Sequence, residues 1–345
     1  MEMSVVNGGE AAEYRVSEPA ISVAMSVYNG APYLGIAIES ILAQSLADFE
    51  FLILNDGSTD DSAAIIDRYA AQDSRIRAIH RENKGLIVSL NQLLDEARAP
   101  IIARMDGDDI ALPERFAKQH AFLTDNPDHG VVSSWTTDID RDGTPFPLGG
   151  DDQPTSHEAF LAAIESGGQL LCHPSAMFRR DLVKSVGGYH AAFRHCEDYD
   201  LWLRLADKCK LASLPERLTL YRHTDGQVSN KHIVEQQIGV AASRLAHRVR
   251  ASRVADPTET LSALPPMEDY DALFGRHGAS EEARAMTAKA ILYSSVALGG
   301  PGFDLILANV RDANPVPGLP RTVLRLLRLG MPRRALRLAT ALIAG

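Results

Sequence analysis

The apolar and polar positions of the first hundred residues alternate between two periods. Short apolar runs at Ile21–Val27, Phe49–Leu54, Arg75–Ile79 and Ile101–Met105 read as strands. Between the first two, Leu34, Ala37, Ile38, Ile41 and Leu42 keep helical spacing, with Pro32 in the first turn. Ser58 and Asp61 form a capping-box-like start to the next helix. After Asn83-Lys84-Gly85, Leu86, Leu90, Leu93 and Leu94 share a helix side. This β-α-β-α-β-α-β order predicts a parallel sheet with right-handed crossovers.

The strict alternation is then lost. Leu112-Pro113-Glu114-Arg115-Phe116 opens a helix, Gly130–Trp135 reads as a strand, and Asp140-Arg141-Asp142-Gly143 as a hairpin turn. His173–Phe178 is a further strand and Gly187-Gly188-Tyr189 a loop. Glu197-Asp198-Tyr199-Asp200 leads into a helix with Leu201, Trp202, Leu205 and Ala206, and Leu218–Tyr221 is the last strand. The second half is therefore expected to be mixed. Helices are expected over 230–250 and 280–297, with a linker at Ala251–Pro266 and breakers at 299–302 and 314–317. Residues 1–19 are expected to form a flexible tail without a signal peptide.

Composition narrows the class. Apolar residues make up 45% and charged residues 23% of 345 positions, as in ordinary globular proteins. A net charge of −10 argues against a general nucleic-acid binder. Cys172, Cys196 and Cys209 fit neither a disulfide framework nor a zinc pattern, so they are expected as reduced thiols in a cytoplasmic protein. No apolar run reaches spanning length.

Chemistry gathers where the fourth strand ends. Ile101-Ile102-Ala103-Arg104-Met105 runs into Asp106-Gly107-Asp108-Asp109. Open α/β sheets bind ligands at the carboxyl ends of their strands. Three carboxylates so close repel one another unless a cation joins them. A hard divalent ion carrying phosphates suits oxygen donors; the bland alternative is a solvated acidic turn. Lys84 and Arg81, ahead of the third helix, could meet phosphate or ribose, or remain solvated.

Four stretches in order, Val27-Tyr28-Asn29-Gly30, Asn55-Asp56-Gly57-Ser58-Thr59-Asp60, Met105-Asp106-Gly107-Asp108-Asp109 and Glu197-Asp198-Tyr199-Asp200-Leu201-Trp202, resemble family 2 glycosyltransferases over about residues 20–230. The resemblance implies the GT-A fold: an α/β domain over 20–230, with a nucleotide-sugar-binding half (20–110) on a mostly parallel sheet and a mixed acceptor half (111–230). A helical C-terminal region follows over 231–345. It implies an inverting transferase moving a sugar from a nucleotide-diphosphate donor, expected to be UDP-linked, to a hydroxyl of a saccharide or lipid-linked saccharide in bacterial cell-surface polysaccharide synthesis.

Residue by residue, the resemblance implies a donor site of Val27, Tyr28, Asn29, Asp56, Lys84, Arg104, Asp106, Gly107 and Asp108. Tyr28 would stack on the base, and Asp56 would accept from its ring N–H. Asn55 stands where the family usually has a second acid. Asp106 and Asp108 would hold Mn²⁺ or Mg²⁺, with His223 a candidate third ligand, and the glycine of Gly107 would let backbone approach. Asp198 would be the general base. Glu197 and Trp202 are expected on the acceptor side or in its loop, Trp202 as packing or platform. Gln227 and Ser229 resemble a loop that closes over the donor. His173 is a weaker candidate than any of these.

Two other readings compete. A nucleotidyltransferase also places acids at strand ends, but Val27-Tyr28-Asn29-Gly30 lacks the expected glycine-rich basic loop. A non-catalytic nucleotide-sugar-binding assembly protein would be expected to lack Asp108 or Asp198. The tail Arg321–Gly345 has six arginines and no acid, with leucines at helical spacing. Such helices suit an anionic membrane surface, here the inner face of the cytoplasmic membrane, or cap the domain.

Overall fold

The structure is a computed structural model and describes residues 18–147, 153–224, 231–312 and 316–344. The tail over 1–17, the loop with Gln227 and Ser229, and Asn314-Pro315 lie outside the described residues.

Eight strands form one sheet: β1 (Ile21–Val27), β2 (Phe49–Asp56), β3 (Ile76–Arg81), β4 (Ile101–Asp106), β5 (Ile110–Ala111), β6 (His129–Ile139), β7 (Met177–Arg179) and β8 (Lys210–Arg222). Their spatial order is β3-β2-β1-β4-β7-β6-β8-β5. The first four pair parallel, whereas β7 is antiparallel to both β4 and β6. The order reverses between β1 and β4, and a crevice opens at such a switch point. Register sets Ser26 of β1 beside Asp106 of β4, and Val27 beside Asn55.

The apolar runs of β1, β2 and β4 are continuous because helices cover both faces of the sheet. On one face, Leu34 and Ile38 of α1 (Ala31–Leu42), Ile66 of α2 (Ser62–Ala70) and Phe116 of α4 (Arg115–Asp125) pack with Val23, Phe51 and Ala103. On the other, Leu90 and Leu93 of α3 (Leu86–Glu96), Phe160 of α5 (His157–Ser166) and Leu201 and Trp202 of α7 (Glu197–Ala206) pack with Leu52 and Ile102.

Several expectations need correction. The capping box at Ser58 does not form: Ser58 Oγ accepts from Asn29 N, and Asp60 Oδ1 takes Ser62 N. His173–Ser175 is a 3₁₀ turn around Pro174, so only Met177–Arg179 is strand. The last strand is 13 residues long, not four. Leu214 pairs with Ser134 and Arg217 with Trp135, so Pro215 and Glu216 occupy a bulge that keeps proline out of the ladder. The 280–297 helix is two, Ala279–Ile291 and Ser295–Gly299, because Ser294 accepts from Ala297 N and caps a new start.

Nor is 251–266 a free linker. Thr258 is fully buried, Asp256 binds Arg250 at 2.6 Å, and Leu261 and Leu264 pack on a cluster with Tyr270 and Phe274. That cluster also joins Phe193 and Cys196 to Ala241, Ala242 and Leu245 of α8 (Ile233–Ala251). Gly239 allows the close approach: a Cβ there would lie 2.2 Å from Cys196 Sγ. The three cysteines are free thiols.

The basic tail forms helices Leu319–Arg328 and Pro332–Ala344. Leu319, Leu326, Ala335 and Leu338 are buried with Phe303 and Ile306, so the tail packs on the preceding helices. Its other side carries Leu324, Leu327 and Leu336, 58%, 51% and 69% exposed, among exposed Arg321, Arg325, Arg328 and Arg333. No helix among the described residues is long and apolar enough to cross a membrane.

Gly239→Ala should destabilise the chain by about 1–3 kcal/mol through overpacking. Adding Cys196→Ala should recover part of the loss, measured as non-additive shifts in denaturation midpoint.

Candidate functional site

The parallel half delivers four loops to one cleft. Asn29, at φ +53, accepts from Thr59 N at 2.8 Å, while Gly30 N and Ala31 N donate to Ser62 and Asp60. Asparagine tolerates this left-handed backbone better than most residues. Gly57, at φ +74, lets Asn83 approach; a Cβ would meet Asn83 N at 2.6 Å. Asp56 receives Lys84 N at 3.0 Å, Gly85 N at 2.8 Å and the Arg81 guanidinium at 2.8 Å. These bonds knit the first three loops together before any ligand arrives.

The cleft holds roughly 1360 Å³. That exceeds an ordinary small-molecule pocket of about 300–1,000 Å³, leaving space for two substrates. Val27, Tyr28, Asn29, Lys84, Arg104, Asp106, Gly107, Asp108, Glu197, Asp198 and His223 all line it. Residues assigned to separate halves of the chain are thus brought together. Tyr28 is 56% exposed, with its ring available for stacking.

Two expected site residues sit away from the cleft wall, and a third lines it without needing to be glycine. Asp56 is 2% exposed, and its carboxylate is taken up by the Lys84–Gly85 turn and Arg81 rather than presented on the cleft wall. Trp202 is fully buried between His173 and Phe178, with ring centroids 5.9 and 6.2 Å away, and cannot serve as an acceptor platform. Gly107 has no positive φ, and a Cβ there would make ordinary contacts of 3.5 Å with Val27 and 3.6 Å with Leu34. The backbone does not require glycine at that position.

The acids at the end of β4 lie in a charged frame. Asp106, Asp108 and Asp109 place carboxylate oxygens within 4.8 Å of one another. Buried Arg104 binds Asp106 at 2.5 Å, and that charge holds the guanidinium more firmly protonated. Burial and then Asp106 push Asp108 up to about 6; burial raises Asp109 further. Arg222 fixes this loop from β8, donating Nε to Asp108 O and its backbone N to Asp109 Oδ1, both at 2.8 Å. Asp109 Oδ2 is buried without a hydrogen-bond partner. An oxygen-only set of crowded acids, with Asp108 and Asp109 raised by burial and then by their neighbours' charge, fits a hard divalent cation that would relieve that repulsion. His223 Nε2 meets Asp138 at 2.6 Å, which leaves Nδ1 as the ring nitrogen free of that contact.

Glu197 and Asp198 open α7, where the helix dipole favours anions. Asp198 is partly exposed to the cleft and accepts from Tyr199 N at 2.8 Å. Burial outweighs the dipole: it raises Asp198 and, with the Asp198 charge, pushes Glu197 up to about 7. Asp200 turns away into a buried pair with Arg204 at 2.7 Å, and Arg204 also binds the carbonyls of Val186 and Gly188. His173 is buried, bonded to Tyr189 at 2.8 Å, and kept neutral by that burial.

Sequence reasoning missed Arg222, Asp138, Tyr189 and Arg194. Arg222 ends β8 one residue past the expected strand, and Asp138 lies on the part of β6 beyond Trp135. Fully buried Arg115 was also missed as a support: its Nη2 donates to Arg104 O at 2.7 Å beneath the acidic loop.

A switch-point crevice with acids on β4 and a carboxylate pair facing them defines a sugar-transfer enzyme of the GT-A type. The chain belongs to glycosyltransferase family 2; the model for "Glycosyl transferase family 2" matches residues 22–187. It is 37% identical over 196 residues to the putative glycosyltransferase EpsE of Bacillus subtilis, covering 56% of this chain and 68% of that protein. It is 32% identical over 212 residues to the O-antigen biosynthesis glycosyltransferase WbnJ of Escherichia coli, covering 59% and 79%. Among solved structures, residues 1–349 of S. aureus TarS in complex with UDP-GlcNAc align with TM-score 0.56 at 15% identity, covering 94% of this chain and 90% of that one. The mannosyltransferase PcManGT from Pyrobaculum calidifontis, in complex with GDP-Man and Mn²⁺, aligns with TM-score 0.51 at 16% identity, covering 95% and 88%. These structural likenesses establish the fold. The family match sets aside the nucleotidyltransferase reading and that of a non-catalytic binder.

Because burial raises the proton affinity of both Glu197 and Asp198, transfer should slow toward acid pH along a limb that lies above the ordinary carboxylate range. A base is lost when its carboxylate protonates, so the limb lies on the acid side. Glu197→Gln removes one negative charge and should move that limb to lower pH in a rate–pH profile.

Proposed function

We propose that this enzyme transfers a sugar, with inversion, from a nucleotide-diphosphate sugar to a hydroxyl of a saccharide or lipid-linked saccharide. The observation that carries this reading is the convergence of Asp106, Asp108 and Asp198 on one cleft. We place Val27, Tyr28, Asn29, Lys84 and Arg104 on the donor side, with Asp56 acting through the Lys84–Gly85 turn it holds. Asp106 and Asp108 would hold Mn²⁺ or Mg²⁺, with His223 as a third ligand through Nδ1. When bound, such an ion offsets charge that builds on the leaving nucleoside diphosphate. Tyr28 offers its exposed ring to the base.

Asp198 does the acid–base work. The acceptor oxygen forms its bond to the anomeric carbon as the bond to the diphosphate oxygen breaks, and the hydroxyl proton passes to the Asp198 carboxylate. Low exposure keeps that carboxylate proton-hungry. Glu197 holds negative charge next to it and helps place the acceptor. Relatives support the wider setting: WbnJ is named for O-antigen biosynthesis. Solved neighbours carry UDP-GlcNAc or GDP-Man, and we favour a UDP-linked sugar here.

A panel of UDP-, dTDP- and GDP-sugars with Mn²⁺ and saccharide acceptors, read by nucleoside diphosphate release, tests the reading. One donor should be consumed, and Asp198→Asn should cut kcat by about 10²–10⁴-fold while donor affinity stays within a few-fold. Full activity of that variant would move the base elsewhere.

We further propose peripheral contact with the inner face of the cytoplasmic membrane through the exposed Leu324, Leu327 and Leu336 and their arginines. Truncation would strip buried Leu326 and Leu338 from the core, so substitutions are the better probe. Leu324→Ser with Leu327→Ser should lower co-sedimentation with anionic liposomes, and Arg325→Glu with Arg328→Glu should do so in a salt-dependent way. Equal binding to all variants would remove the membrane role.

A further inference from the structure

A second group of ligating side chains stands at the mouth of the cleft, outside the acids of β4. His195 lies on the loop just before α7, and His232 and Glu235 lie at the start of α8. His232 Nδ1 is 2.8 Å from Glu235 Oε2, and His195 Nε2 is 3.7 Å from the same oxygen. The two imidazoles stack nearly parallel, with centroids 4.1 Å and planes 14° apart. Ligand atoms on a tetrahedral ion with bonds of about 2.0–2.1 Å stand roughly 3.3 Å apart. The two spacings to Glu235 bracket that value, and all three ligand atoms already lie within 4.8 Å of one another, so turning the two rings out of their stack would bring them onto one centre.

We propose that His195, His232 and Glu235 bind a borderline divalent transition ion, zinc above all, at a site distinct from the Asp106–Asp108 carboxylates. The donor chemistry separates the two sites. Two imidazoles and one carboxylate suit zinc, whereas the oxygen-only acids suit magnesium or manganese. Glu235 and His232 are open to solvent, which gives an ion its path and leaves a fourth position for water.

The backbone points the same way. His195 has φ +70, a conformation that costs a β-substituted residue energy and concentrates at functional positions. Glycine would sit there without strain, so the side chain has to bring a compensating contact. Gln236 Nε2 already donates to His195 O at 2.8 Å, so loop and helix are held in reach before an ion binds. Arg194 lines the cleft next to His195 and is the nearby charge that opposes a cation. A bound ion would staple the loop that leads into Glu197 and Asp198 to the first turn of α8.

The test is a zinc titration of the full-length, tag-free chain by calorimetry in excess Mg²⁺, which saturates oxygen-donor sites. Wild type should bind one zinc per chain, and Asp108→Asn should bind it equally. His232→Ala and His195→Gly should each lose the event. His195→Gly also relieves the positive φ, so without zinc it should melt no lower than wild type, which separates a lost ligand from a lost fold. Absence of the event in wild type, its survival in both histidine variants, or its loss in Asp108→Asn would each overturn the proposal.

Discussion

Negative charge crowded at one end of a hydrophobic sheet is the constraint around which this molecule is built. Asp106, Asp108 and Asp109 follow a buried strand, and Glu197 and Asp198 across the cleft are raised first by burial, with Asp106 adding to it. Such a group would push the chain apart without a counterweight. Arg104 supplies it from within β4 itself, and Arg222 binds the acidic loop through its backbone and side chain. Arg115 braces the carbonyls beneath. Arg104 reaches the cleft beside Asp106 and Asp108, while Arg115, Arg222 and Asp109 support the loop from behind.

The switch in strand order explains why this charge is placed at a usable position. Helices cover both faces of β1 and β4, so polar groups gather at the carboxyl ends of those strands, where the cleft opens. α7 enters from the mixed half and sets its N-terminal carboxylates opposite. Asp200 and Arg204 lock the loop before it, and the Cys196–Gly239 contact seats α8 on the same corner. The C-terminal helices are thereby continuous with the catalytic corner through a shared apolar cluster.

Much of the parallel half was legible because burial on both faces leaves unbroken apolar runs, and each run ends where the chemistry begins. The mixed half was harder. Pro215 masked most of β8 because a single proline looks like a strand end, although a bulge can absorb it. Trp202 was ambiguous because helical spacing does not say which face meets the core. Asp56 illustrates a deeper limit: a motif tells which residue stands at a strand end, but not whether its oxygens are already spent on neighbouring amides. Arg222 and Asp138 acquire their places only through pairing between distant strands, which no local pattern encodes.

The hydrogen bonds that tie Asn29 to Thr59, Gly30 to Ser62 and Asp56 to the Lys84–Gly85 turn make the proposed nucleotide side a prebuilt lattice. Loops already joined to one another have little conformational entropy left to lose when a ligand arrives. On the proposed reading, discrimination between donors on such a surface falls to shape more than to adaptation. A change of donor during divergence therefore falls to side chains projecting from the lattice, such as Tyr28, while the loops that carry them keep their form.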